Sequence, residues 1–225
     1  MTQKQTTTDL TRVYAALGGT ALAGVVGVLL QQRTKFSTTL ASLISLGLAL
    51  SMQFQKSELW KLLGFGLFNG MSLGGLVKLA TFVNPAIVPL ALGSTTLIFS
   101  SFAAAATIST RRSFLYLYGG LGSALSILSL TGLANLYFQS RSLFDFNLYG
   151  GLAMFIGYVM ADSQLIIERA DQGDEDYVTH AWLLFTDLSG IFTRMLIILI
   201  KRSEQDEQQK KKSRKQNEGD AEFHD

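Results

Sequence analysis

Cysteine is absent from this chain. That excludes disulfides, a thiol nucleophile, an iron–sulfur cluster and a thiolate metal site, although it identifies no compartment. Histidine is scarce, with only His180 and His224, so a histidine-based metal hydrolase lacks its ligands. There are only 2 prolines. Charged residues make up 16% of the 225, against roughly 25% in soluble domains. The net charge of +2 is too small to suggest a nucleic-acid partner.

What is present is hydrophobic and long. Apolar residues reach 48% and mean hydropathy is +0.28, while residues 203–225 hold twelve of the charged side chains. The remainder is an apolar body with short polar joints. About 20 apolar residues cross the hydrocarbon of a bilayer, and the runs at 13–30, 37–54, 59–82, 86–107, 114–138, 147–168 and 180–200 are candidate spans. This predicts an all-α integral membrane protein in three parts: a polar N-terminus at 1–12, a seven-helix domain at 13–200 and a charged, disordered tail at 201–225. The N-terminus carries no cleavable-signal pattern, because its first apolar run is long enough to remain as a span.

Six of the seven spans are straightforward. The last contains both Asp187 and Arg194, each costing about 2.5–3.5 kcal/mol at a helix centre. It is therefore expected inside the bundle, or crossing only part of the membrane as a re-entrant segment. If the spans alternate, Lys4, Arg12, Lys56, Lys61, Arg111, Arg112 and Arg169 share the N-terminal side, against Arg33, Lys35 and Arg141 opposite. The positive-inside rule then places the N-terminus in the cytosol. The basic tail would also prefer the cytosol, which seven full crossings do not allow, so its side stays open.

Glycines at positions 66, 70 and 74, and Gly19, Ala23 and Gly27, repeat at four-residue spacing, as small residues do where membrane helices approach closely. No strand–loop–helix context makes them a phosphate loop.

The chemistry lies in two carboxylates. Asp162 sits six residues inside the sixth span if that span ends near Glu168, and Asp187 seven residues inside the seventh if it begins near His180. At 1.5 Å per residue, both lie about 9–11 Å below one membrane face. A short acidic loop makes the two helices a hairpin, so the side chains can meet. A carboxylate in a membrane span is costly and marks a functional site. Two in contact repel when both are ionised, so the pair shares a proton. Losing that proton leaves an oxygen-rich dianion suited to a hard cation such as Ca²⁺, and proton and cation would compete. The plainer alternative has each aspartate cap a helix break or pair with Arg194 or Lys78. Arg194 is about 10 Å along the helix from Asp187, too far for a direct pair, and Lys78 can reach the interface.

Enzyme readings fare poorly. An intramembrane aspartyl protease uses two membrane aspartates, but its Gly-x-Gly-Asp motif is missing. Asp162 follows Val-Met-Ala and Asp187 follows Leu-Phe-Thr. The loop acids Asp171, Asp174, Glu175 and Asp176 lack calcium-loop spacing and read as a solvated turn that attracts cations. No enzymatic activity and no cofactor are expected.

The C-terminal third resembles a family signature. Asp162–Ala170 (DSQLIIERA), Gly173–Tyr177 (GDEDY) and Leu184–Leu188 (LFTDL) are similar to the signature of the Bax inhibitor-1 family, and further similarity runs in collinear order from LTRVYAAL (10–17) onward. The layout of spans, loop and tail is closest to plant-type members. Ser163, Arg169 and Leu188 depart from the usual Thr, Lys and Phe without changing polarity class. The resemblance implies six helices around a central seventh, in the endoplasmic reticulum membrane. It implies suppression of cell death and a pH-sensitive leak of lumenal Ca²⁺, with Asp162 and Asp187 as the sensing pair. Supporting roles fall on Arg194, Glu168 and Lys56, the last at a family position for a basic partner. Expected partners are membrane lipids, permeant Ca²⁺ and Bcl-2-type proteins. Calmodulin or anionic lipid would meet the tail cluster Lys210, Lys211, Lys212, Arg214 and Lys215. The rival class is a non-conducting membrane adaptor acting through protein partners.

Overall fold

Each polar joint breaks a helix where expected. A computed structural model describes residues 3–34, 36–55, 57–109 and 113–222. Lys35, Lys56, Arg111 and Arg112, counted above for orientation, lie outside them. The helices are α1 (Gln3–Thr34), α2 (Thr38–Phe54), α3 (Leu59–Val83), α4 (Ile87–Ile108), α5 (Leu117–Phe138), α6 (Arg141–Asp171) and α7 (Tyr177–Glu222), with a 3₁₀ turn at Ser113–Tyr116. No strand occurs among the described residues.

The joints have local causes. Ser37 Oγ accepts the Leu40 N–H at 3.5 Å at the start of α2, and Asn84 Oδ1 accepts the Ala86 N–H at 2.9 Å around Pro85. Gln139, at φ 46°, turns the chain left-handed between α5 and α6. Asp176 Oδ1 accepts the Thr179 N–H at 3.1 Å, satisfying an orphan donor at the start of α7.

α7 is the axis of the bundle. It packs against α1, α3, α4 and α6, whereas α2 leans mainly on α3 and α5 mainly on α6. Leu184, Ile191 and Leu196 of α7 are fully enclosed, and its residues belong to both hydrophobic clusters. The six surrounding helices are thus unequal, four inner and two outer.

Exposed leucines cover the outside, and exposed aromatics mark two levels. Trp60 and Phe82 lie near the two ends of α3, and Tyr116 and Phe138 flank α5. Each pair is 22 residues apart in the sequence, or about 33 Å of helix, close to the thickness of a bilayer's hydrocarbon core. Such aromatic belts sit at membrane interfaces. The chain is a multi-pass membrane protein.

Six helices are long and apolar enough to cross: α1, α3, α4, α5, α6 and α7. The short one is α2, with 17 residues, and not the last segment, as the charges of Asp187 and Arg194 had suggested. α7 runs unbroken beside α6, and Lys201 near its far side pairs with Asp145 in the first turns of α6. By length and composition α7 can cross in full. Insertion costs apply to a helix facing lipid, and α7 faces protein.

The helix also continues to Glu222, through the stretch expected to be disordered. Glu, Gln, Lys and Arg are good helix formers, and a helix already begun has no nucleation cost. Lys210 and Glu207 support it at 3.9 Å. This extension leaves the bundle at the end opposite the start of α1.

The glycine runs are packing surfaces. A Cβ on Gly66 would meet Thr20 O at 2.6 Å, and one on Gly70 would meet the Gly24 backbone. α1 and α3 touch there through main chain, which only glycine permits.

Candidate functional site

The antiparallel register of α6 and α7 brings the two aspartates together. Asp162 lies opposite Asp187, Gly151 opposite Arg194, and Asp145 opposite Lys201. Both aspartates are buried, at 3% and 4% exposure, and their carboxyl groups are within hydrogen-bonding reach of each other. Tyr118 of α5 donates its hydroxyl to Asp162 Oδ1. Asp187 Oδ2 is enclosed and has no donor. A proton carried by the facing carboxyl is the donor this arrangement lacks.

The pair lines a cavity of about 740 Å³ between the end of α2 and helices α5, α6 and α7. Its mouth is at the α6–α7 loop, with Gln55, Ser57, Arg169 and Asp176, and its floor is Leu125, Met154 and Phe155. From Arg169 to Met154, α6 descends about 22 Å. The cavity therefore enters well over half of a hydrocarbon layer roughly 30 Å thick.

Neighbouring groups hold the aspartates in place. Buried Gln164, two residues from Asp162, accepts the Phe114 N–H at 2.9 Å and donates to Ala106 O at 3.4 Å. It ties α6 to the joint before α5 and to the end of α4. Tyr158 meets Tyr118 edge to face, with ring centroids 6.2 Å apart. Ser57 Oγ and Thr179 Oγ1 join the α2–α3 joint to α7 at 2.7 Å. None of these partners was read from the sequence; a hydroxyl or amide at span depth was the available signal.

The other expected residues divide. Arg194 makes no ion pair among the described residues; its guanidinium lies 4.5 Å from the Phe155 ring centroid, well below the pair. Glu168 accepts from Gln172 Nε2 at 2.7 Å near the loop, away from the facing carboxyls. Lys56 is outside the described residues. Lys78 is exposed. Lys210, Lys211, Lys212 and Arg214 lie exposed on the extension of α7, far from the cavity.

The loop acids have structural work. Asp174 lies 3.8 Å from Arg169 and 3.6 Å from buried His180, and Asp176 caps α7. Among the described residues no three His, Asp or Glu cluster to hold a metal. At the pair, the chain itself offers two carboxyls and the Tyr118 hydroxyl. Ca²⁺ takes 6–8 oxygens, so such an ion would keep water, for which the cavity has room. Chemically, the arrangement can hold one shared proton or expose a bare pair of carboxylates to the cavity.

Comparison with known proteins agrees over most of the chain. The family profile described as inhibitor of apoptosis-promoting Bax1 matches residues 6–204. Bax inhibitor 1 of Sus scrofa is 38% identical over 199 residues, 84% of each chain. That of Drosophila melanogaster is 35% identical over 217 residues, 93% of this chain and 85% of the relative. That of Arabidopsis thaliana reaches 46% over 136 residues, 60% of this chain and 55% of the relative.

Proposed function

The chain belongs to the Bax inhibitor-1 family, and from that membership we propose that it suppresses cell death in the endoplasmic reticulum membrane by a proton-controlled leak of Ca²⁺. The observation that carries the reading is the opposition of Asp162 and Asp187 on the wall of a cavity that enters the membrane from one end. Sharing a proton, the two carboxyls bridge α6 to α7 and hold the bundle closed. Losing it leaves two like charges in contact, which push the helices apart and attract a hard cation. Proton loss and cation arrival thus bias the same two-state packing of α7.

Ca²⁺ flux through purified protein in liposomes between pH 6 and 8 tests this, for the wild type, Asp162→Asn and Asp187→Asn. A pH-dependent wild-type flux that both substitutions flatten supports the pair as sensor. Absence of flux from folded wild type at every pH sinks the leak.

One observation favours a second reading, a non-conducting adaptor. The exposed, charged extension of α7 is a ready surface for calmodulin, a Bcl-2-type protein or anionic lipid. An adaptor keeps cell-death suppression when Asp187→Asn leaves the fold intact; a leak does not.

A further inference from the structure

The floor of the cavity is built around a positive charge that no acid among the described residues neutralises. Phe155 lies at the bottom of the cavity, and the Arg194 guanidinium packs over its ring at 4.5 Å. Arg194 Nη1 donates to Gly190 O at 3.2 Å, while Nε is enclosed without a partner. The described residues include no carboxylate in ion-pair contact with it; the next base along α7, Lys201, already has Asp145. Two glycines make the room. A Cβ on Gly151 of α6 would meet Arg194 Nη2 at 2.6 Å and Cζ at 2.7 Å, and a Cβ on Gly190 of α7 would meet the Phe155 ring at 2.7 Å. Each helix therefore gives up a side chain so that the other's ring or guanidinium can fill the seam.

We propose that the Phe155–Arg194 stack is the closed floor of the cation path and its charge filter, the ring blocking passage and the guanidinium rejecting cations that approach it. This rests on the leak reading and adds to it the residue that decides which ions cross and when. Arg194 lies seven residues beyond Asp187 on α7, about 10 Å further into the membrane. Any cation crossing between the pair and the far side meets this positive charge, in a low-dielectric setting where such charge acts strongly. Opening requires α7 to shift against α6 so that the guanidinium leaves its place over Gly151. The separation of the aspartates drives the same movement. Pair and floor are then two ends of one seam, the first sensing and the second shutting.

The test is ion flux in liposomes for the wild type, Arg194→Gln, Arg194→Lys and Gly151→Ala, with Asp187→Asn alongside. Arg194→Gln is expected to raise Ca²⁺ flux at the pH where the wild type is closed by roughly tenfold or more, the lower scale of electrostatic focusing effects. Arg194→Lys keeps the charge but loses the planar stack, so it should leak monovalent cations more than Ca²⁺. Gly151→Ala displaces the guanidinium without removing it and should also loosen closure. The cysteine-free chain allows a clean control: Met154→Cys, labelled from the cavity side at equal rates with and without Arg194→Gln, shows that the cavity survives. If Arg194→Gln and Gly151→Ala match the wild type while Asp187→Asn alters flux, the floor proposal falls and the leak stands. If nothing conducts, both fall.

Discussion

Ser57 Oγ and Thr179 Oγ1 stand 2.7 Å apart, joining the link between α2 and α3 to the first turn of α7 at the rim of the cavity. Thr179 Oγ1 in turn donates to Asp176 Oδ2 at 2.6 Å, so one short relay holds the mouth. Ser57→Ala should cost about 1 kcal/mol, the net worth of a hydrogen bond, and should let the mouth open more readily. Thermal unfolding in detergent reads the first effect and the pH range of flux the second. An unchanged midpoint would mean that the relay holds nothing.

Tyr118 donates to Asp162, and a donor favours the ionised form of a carboxyl. Tyr118→Phe removes it, so the pair should keep its shared proton to higher pH. The pH midpoint of Ca²⁺ flux is expected to rise, with the slope retained. A fall in midpoint would contradict the assigned direction of that hydrogen bond.

Close approach of α1 and α3 depends on particular glycines. A Cβ on Gly70 would collide with the Gly24 main chain, whereas one on Gly93 would meet nothing within 4 Å. Gly70→Ala should therefore destabilise by about 1–3 kcal/mol, as overpacking does. Gly93→Ala should be neutral or slightly stabilising, since it removes a flexible residue from a helix. Melting curves of the two variants should diverge.

Lys210, Lys211, Lys212 and Arg214 lie beyond the bundle on exposed helix. Replacing all four with Gln should abolish binding to vesicles rich in anionic lipid, at about 1 kcal/mol per basic residue. Cosedimentation at low and high salt measures this. Helix content should hold, because Gln is also a good helix former.

The fold was legible because its signals are additive: hydropathy sums along a span, and joints carry charge or proline. The pairing of Asp162 with Asp187 was legible for a related reason, since depth follows from counting residues at a fixed rise. Direction around the helix axis does not. That is why Tyr118, Gln164 and Thr179 went unread, each being an ordinary polar residue until its helix is turned towards a partner. Arg194 shows the same limit. Its distance from Asp187 was countable, but the ring and glycines that stand in for an acid belong to the α6–α7 seam. The two charges of the last span did place it inside the bundle, among four helices, but could not tell an unbroken span from one that crosses only in part.

α7 is unbroken from Tyr177 to Glu222, a rod of about 69 Å by helix rise. Asp187 and Lys212 are 25 residues apart on it, about 38 Å. A stiff rod cannot be twisted at one end without the other end feeling the torque. A protein or lipid surface that grips the exposed portion acts as a hand on an axle, and the aspartates are its bearing. Coupling of this kind is reciprocal. On the proposed leak, a proton gained or lost inside the membrane would turn the face that the far end shows to its surroundings, and the cavity and the tail would move together.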